Sequence, residues 1–115
     1  MGVMMKSYRI EVGGSGDAEV TDMAGNRVWT HHAGSPGTDP ETLCDALLEA
    51  LSWTAQHHSG PIIVELPERR LANELVAASP IDHHSRLSSM LDEARILLTW
   101  FESTDVALRD ADAAA

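Results

Sequence analysis

The spacing of hydrophobic residues changes along this 115-residue chain, and that change limits the folds it can adopt. The segment Tyr8–Val12 alternates apolar and polar residues, a period of two that is typical of a half-buried strand. From Pro40 to His57 the apolar residues recur every three to four positions, which indicates an amphipathic helix. Ile62–Leu66 is then a nearly continuous apolar run, which predicts a strand covered on both faces. The mixture of periods predicts an α/β domain.

Turn and capping signals predict the remaining elements. Asp39 is the expected cap of the first helix, with Pro40 in its first turn. The other predicted strands are 18–23, 27–30 and the short edge strand 106–108, and the other predicted helices are 68–77 and about 82–103. The expected order is β-β-β-α-β-α-α-β. We expect one domain over 1–115, with 1–6 and 110–115 as flexible ends.

Each predicted helix has one apolar side. In the first helix the expected buried stripe is Leu43, Leu47, Ala50, Leu51 and Thr54. Its opposite side carries acids at i+4 spacing: Glu41, Asp45 and Glu49. The expected inward residues of the second helix are Leu71, Leu75 and Val76, and those of the third are Leu87, Met90, Leu91, Ala94, Leu97, Leu98 and Phe101. These stripes predict helices packed on the sheet.

The order of elements and two short motifs resemble the ribonuclease H family. The motifs are Leu47-Leu48-Glu49-Ala50-Leu51 in the long helix and Leu71-Ala72-Asn73-Glu74-Leu75 in the next one. The resemblance covers roughly Tyr8 to Leu108, and it implies an α/β fold with a mixed five-stranded sheet. In that family several acids converge to hold two divalent metals, which activate water for phosphodiester cleavage.

This chain lacks acids at the positions that the resemblance assigns to them. Gly13 falls at the Asp after the first strand, with Gly14-Ser15 kept beside it. Leu43 falls at the Glu of the first helix, and Pro67 falls at the Asp after the fourth strand. The chain also ends before the family's last helix, which brings a further acid. We therefore expect no catalytic residue, no bound metal and no cofactor.

Carboxylates elsewhere could form a displaced site. Glu11 and Glu65 each lie two residues before a vacant position, on strands that are neighbours in the family's sheet. With Glu41 or Asp45 they could make a divergent metal-dependent nuclease. Against this, unpaired buried carboxylates are costly, and a two-residue shift moves each group by about 6–7 Å along its strand. We expect solvated surface acids and keep the nuclease as an alternative.

The third strand is an edge strand of the implied sheet. It carries Trp29, with Arg27 expected on the same face. An edge strand with a large aromatic residue can pair with a second copy or with another protein. The sequence thus favours a non-catalytic, protein-binding or self-associating accessory module, whose partner is another protein or a second copy in a homodimer.

The charge of the chain bears on its partners. Against 8 Lys and Arg there are 18 Asp and Glu, so the net charge is −10, which repels phosphate backbones and argues against a nucleic-acid partner. A further alternative is that the acids mimic a nucleic-acid backbone and occupy a DNA-binding protein. That function requires one continuous stripe of carboxylates. Small acidic chains of this style suggest a bacterial or bacteriophage accessory factor.

The cysteine and histidine residues indicate no metal site. Cys44 is the only cysteine, so it cannot form an intramolecular disulfide, and we expect a small buried helix residue. The six histidines come as three adjacent pairs, which lack the i, i+4 spacing of a helical zinc site. No apolar run approaches the ~20 residues of a membrane span. We expect a cytoplasmic protein with no membrane partner.

Overall fold

The computed structural model describes residues 7–13, 16–32, 39–76 and 86–108. Three predictions concern residues outside these ranges: the flexible ends, Gly14-Ser15, and the start of the third helix near residue 82.

The described residues form five strands and three helices in the predicted order. The strands are β1 (Tyr8–Val12), β2 (Ala18–Thr21), β3 (Arg27–His31), β4 (Ile62–Leu66) and β5 (Thr104–Leu108), and the helices are α1 (Pro40–His57), α2 (Arg69–Val76) and α3 (Arg86–Leu98). One mixed sheet has the order β3-β2-β1-β4-β5, in which β1 and β4 are parallel, as are β4 and β5. The predicted α/β class and five-stranded mixed sheet are confirmed.

All three helices pack on one face of the sheet, which we call the inner face. Every member of the stripe predicted for α1 is buried there, against β1, β2 and β3. Alternate strand residues complete the core, among them Ile10, Val20 and Val64. The opposite, outer face has no helix on it among the described residues. The prediction that β4 is covered on both faces is therefore wrong, because Ile63 and Glu65 are only half-buried.

The turn between β2 and β3 depends on two residues. The Asp22 carboxylate accepts hydrogen bonds from the backbone N–H groups of Ala24 and Asn26, both at 2.9 Å. Gly25 has φ of 90°, a left-handed conformation that glycine adopts without the steric cost of a side chain. This geometry ends β2 at Thr21, two residues earlier than predicted.

Two helix predictions need correction. Val76 is 62 % exposed, although it was expected to face inward with Leu71 and Leu75, which are buried. The described part of α3 ends at Leu98 rather than near Ser103, and Phe101 reaches the core from the turn that follows. No helix in the described ranges has the length and apolarity needed to span a bilayer.

The capping of α1 gives a pH-dependent prediction. The Asp39 carboxylate accepts hydrogen bonds from the Thr42 hydroxyl at 2.7 Å and from the Thr42 backbone N–H at 3.1 Å. These bonds hold the pKa of Asp39 below its usual value of 3.8, with the hydroxyl bond the larger cause. The pKa of Asp39 is lower in the folded state than in the unfolded state. The stabilisation is therefore fully present above pH 3.8 and is lost as the pH falls from there through the folded-state pKa. We expect Asp39→Ala to lower the unfolding temperature at neutral pH.

Thermal unfolding between pH 7 and 2.5 measures this effect. The difference in unfolding temperature between Asp39→Ala and wild type should disappear at the acidic end of this range. Ser52→Ala, on the exposed side of α1, is the matched control. A difference of the same size at every pH would contradict the assigned role of the carboxylate.

Candidate functional site

The vacant positions lie at the ends of neighbouring strands or inside the core. Gly13 follows β1, where its N–H donates to the Asp17 carbonyl at 2.7 Å, and Pro67 follows β4. Strands β1 and β4 are parallel neighbours, so both positions are at the carboxyl end of the sheet, where α/β proteins commonly bind ligands. Leu43 is 2 % exposed and packs in the core. None of these three side chains offers an oxygen ligand at that end of the sheet.

Glu11 and Glu65 are neighbours on the outer face. They are register partners across the parallel pair β1 and β4. Glu19 of β2 is the register partner of Glu11 on its other side, so three carboxylates form a row across three strands. We call Glu19, Glu11 and Glu65 the carboxylate row. The sequence named Glu11 and Glu65 as candidate displaced carboxylates on neighbouring strands, and it missed Glu19.

Arginines neutralise both ends of the carboxylate row. Arg27 Nε lies 2.9 Å from a Glu19 oxygen, and Arg9 Nε lies 3.5 Å from a Glu65 oxygen. The carboxylate of Glu11, in the middle of the row, makes no ion pair or hydrogen bond within the described residues. Like charges on neighbouring strands destabilise a sheet, and the two arginines offset part of this repulsion. Because both arginines are substantially exposed, the carboxylate row is a solvated surface.

The helix acids do not join this row. Glu41 and Asp45 are exposed on α1, and α1 packs on the inner face of the sheet. The sheet itself therefore separates them from Glu11 and Glu65, so the described structure does not bring together the strand and helix acids of the nuclease alternative. Within the described residues, no three His, Cys, Asp or Glu side chains are arranged to hold a metal ion.

A shallow hollow lies beside the carboxylate row. Its volume is about 490 Å³, and it is open to solvent. Its lining combines charged and apolar groups: Ser7, Arg9, Glu11, Thr21, Asp22, Met23, Gly25 and Ile63. The hollow is therefore an open surface depression and not an enclosed cavity.

The second candidate surface is the free edge of β3. The pairing of β2 with β3 shifts register between Val20 and Thr21. Val20 lies opposite Trp29, and Thr21 lies opposite Arg27. Arg27 therefore reaches Glu19 on the outer face, while Trp29 packs against Trp53 of α1 on the inner face. The expectation that Arg27 and Trp29 share a face is wrong. Both still belong to the same edge strand.

Four rings form a continuous stack between β3 and α1. Trp29 stacks on His31 with centroids 5.9 Å apart and on Trp53 at 6.2 Å, and Trp53 stacks on His57 at 4.1 Å. We call His31, Trp29, Trp53 and His57 the ring stack. The i, i+4 spacing of Trp53 and His57 and the i, i+2 spacing of Trp29 and His31 were visible in the sequence but not used.

The other histidine of the second pair has a structural role. His58 stacks on Tyr8 at 4.2 Å, and its Nε2 atom hydrogen-bonds the Pro61 carbonyl at 2.9 Å. A Cβ on Gly60 would lie 2.9 Å from the His58 ring, so the glycine is needed for this close approach. His57 and His58 end α1, as predicted.

Cys44 is buried among apolar residues of α1. Burial raises the pKa of its thiol to about 12, with smaller contributions from the Asp45 and Glu93 carboxylates. A thiol with this pKa stays protonated near neutral pH, so it is a poor nucleophile. The sequence prediction of a structural cysteine agrees with this environment.

Known structures share this fold. The chain has the ribonuclease H-like fold. It superposes on the RNase H1 of the halophilic archaeon Halobacterium salinarum with a TM-score of 0.67 and 20 % identity, covering 91 % of this chain and 88 % of that one. For the N-terminal RNase H domain of a Mycobacterium tuberculosis protein the values are 0.71 and 13 %, covering 93 % and 92 %. For an RNase H1 isolated from compost by a metagenomic approach they are 0.64 and 16 %, covering 96 % and 91 %.

Sequence comparison adds no closer assignment. No protein-family model matches the chain, and no curated protein matches it significantly. At these identities the similarity establishes the architecture, and the chemistry must be argued from the residues of this chain.

Proposed function

We propose that this chain is a non-catalytic ribonuclease H-like domain that binds protein or a second copy of itself through the edge of β3. The observation that carries this proposal is the combination of a site without acids at Gly13, Leu43 and Pro67 with an edge strand held in place by the ring stack. The fold is kept, but the groups that would use it for metal chemistry are absent from the positions where the fold family has them.

Strand β3 lacks the negative charge that dominates the chain, which supports a protein partner or a second copy. No residue of Arg27–His31 is acidic, although the chain as a whole has a net charge of −10. As the outermost strand of the sheet, β3 has one side free to pair with another strand. Val28 is 39 % exposed and adds apolar area. An incoming strand could thus pair with the backbone and contact Val28 and Arg27.

A charge on the edge tests this proposal with little disturbance of the core. We expect Val28→Lys to abolish self-association measured by light scattering, or to abolish partner capture from the native host, because lysine on an edge strand opposes strand pairing. The double variant Arg27→Ala/Trp29→Ala should also abolish self-association or partner capture. The matched control is Ile96→Lys, an exposed apolar residue on α3.

Two outcomes would contradict the proposal. One is a wild-type chain that stays monomeric and captures no partner. The other is an unchanged oligomer and partner set in both edge variants, with unchanged thermal unfolding in Val28→Lys. If Ile96→Lys alone removes association, the binding surface lies on α3 instead.

A divergent metal-dependent nuclease is the second candidate, and the pairing of Glu11 with Glu65 is the observation in its favour. The described residues fit a metal poorly, since the third carboxylate of the row, Glu19, is paired with Arg27 and the helix acids lie beyond the sheet. The outer face thus offers two adjacent acids, where the two-metal chemistry of the fold family needs several converging ones.

Metal titration distinguishes this candidate. A nuclease should gain thermal stability in millimolar Mg²⁺ or Mn²⁺ and cleave the RNA strand of an RNA–DNA hybrid, and both effects should disappear in Glu65→Gln. Asp45→Asn on α1 is the matched control and should leave both unchanged. From the geometry we expect no metal-dependent shift in any of the three proteins, and a shift lost only in Glu65→Gln would reverse that assignment.

The acidic-mimic alternative is not supported. It required one continuous stripe of carboxylates, whereas Glu41, Asp45 and Glu49 lie on the exposed side of α1, and Glu11, Glu19 and Glu65 lie on the outer face of the sheet. These two surfaces lie on opposite sides of the molecule. Further described acids lie on other elements, such as Glu93 on α3 and Asp105 on β5.

A further inference from the structure

A groove runs along the other edge of the sheet, between β5 and α2. Its volume is about 410 Å³, and it is lined by Arg69, Ala72, Asn73, Val76, Val106 and Leu108. The four helix residues have i, i+3, i+4 and i+7 spacing, so they form one continuous face of α2. The two strand residues alternate with Ala107 and point to the inner side of the sheet.

The floor of this groove is apolar, and among the described residues no strand covers the outer backbone edge of β5. Val106 and Leu108 are half-buried, and Val76 is 62 % exposed. β5 pairs with β4 on one side only, and within the described ranges none of its residues hydrogen-bonds any other strand. An occupant must therefore satisfy a row of backbone N–H and C=O groups while it covers aliphatic side chains. An extended peptide segment meets both requirements.

The charge at one end of the groove indicates a further property of the peptide that would bind there. Arg69 begins α2 and is exposed, and its side chain makes no ion pair or hydrogen bond among the described residues. The amino end of the helix adds positive potential beside this unpaired guanidinium. This end of the groove thus complements a carboxylate.

We propose that the groove between β5 and α2 binds an extended peptide segment of a partner protein, with alternate aliphatic side chains over Val106 and Val76 and an acidic residue at Arg69. The peptide adds a sixth strand to the sheet. This surface lies at the opposite edge from β3, so the inference stands apart from the function proposed above and can fail without it.

Selection from a phage-displayed library of random nonapeptides on the immobilised full chain tests the inference. We expect enriched sequences with aliphatic residues at every second position and at least one Asp or Glu. A synthetic peptide of the enriched sequence should bind wild type in fluorescence anisotropy. Val76→Glu and Arg69→Glu should each weaken its binding by about tenfold or more, as loss of a central interface contact does.

Two controls separate strand addition from general stickiness. The same peptide with N-methyl groups at alternate residues cannot donate its backbone hydrogen bonds, and we expect it to bind weakly. Val28→Lys, at the β3 edge, should leave affinity unchanged, whereas it should remove the association assigned to that edge. Thermal unfolding checks that each variant is folded.

The inference is overturned if no sequence is enriched, if the N-methylated peptide binds equally well, or if folded Val76→Glu keeps full affinity. Binding lost in Val28→Lys would place the peptide at β3 and also overturn it. Concentration-dependent dimerisation lost in Val76→Glu would assign the groove to a second copy of the chain instead.

Discussion

Replacing Leu47 by alanine is expected to lower the free energy of unfolding by about 3 kcal/mol, within the range measured for large-to-small changes in cores. Leu47 lies in the middle of α1, is 0 % exposed, and belongs to the core between helix and sheet. The loss combines the transfer free energy of the removed carbons with the cavity left behind. Urea denaturation followed by circular dichroism measures it, since a domain of this size commonly unfolds in one step.

The neighbouring leucine provides a control for this variant. Leu48 is only half-buried, so Leu48→Ala should cost clearly less than Leu47→Ala, and Glu49→Ala on the exposed side should remain within about 0.5 kcal/mol of wild type. Equal losses in Leu47→Ala and Leu48→Ala would contradict the orientation of α1 on the sheet.

Removing Trp53 should have the second largest effect. Its indole lies between Trp29 and His57, so Trp53→Ala removes two ring contacts and part of the packing of β3 on α1. We expect a loss of about 2 kcal/mol, less than for a fully buried tryptophan because Trp53 is only half-buried. Urea denaturation measures the loss, and near-ultraviolet circular dichroism should show a change in the tryptophan bands.

A double-mutant cycle isolates the contact between the two indoles. The sum of the losses in Trp29→Ala and Trp53→Ala should exceed the loss in the double variant by about 0.5–1.5 kcal/mol. Trp100→Ala is the control, because Trp100 is 61 % exposed and stacks on no other ring in the described structure. Strict additivity would show that the stack contributes nothing beyond apolar burial.

The sequence predicted the elements well because each has a local signal. The N-cap of α1 at Asp39 was identified, since capping chemistry involves residues only a few positions apart. The errors fall where the deciding contact is distant. Val76 has the right spacing for an inward residue, but in the structure it lines the open groove beside β5 instead of packing under a covering element.

The candidate sites were predictable only in part for the same reason. Strand parity correctly placed Glu11 beside Glu65, because both lie on adjacent parallel strands. The alternation of side chains along a strand could not show that α1 packs on the inner face of the sheet. Because it does, Glu41 and Asp45 lie away from Glu11 and Glu65 on the outer face. The register shift opposite Val20 and Thr21, which separates Arg27 from Trp29, also has no clear signature in the residues themselves.

The pairing of β1 with β4 has a consequence for biosynthesis. These central strands meet only after the ribosome has made the roughly fifty residues between Tyr8 and Ile62. At typical elongation rates of about 5–20 residues per second, the roughly thirty residues between His31 and Ile62 take about 2–6 s to make, and for that time the finished strands β1, β2 and β3 leave one side of β1 unpaired. During that interval its inner-face residues Ile10 and Val12 are available to chaperones or to a neighbouring nascent chain. The speed of translation through α1 therefore sets how long this protein is vulnerable to misassembly.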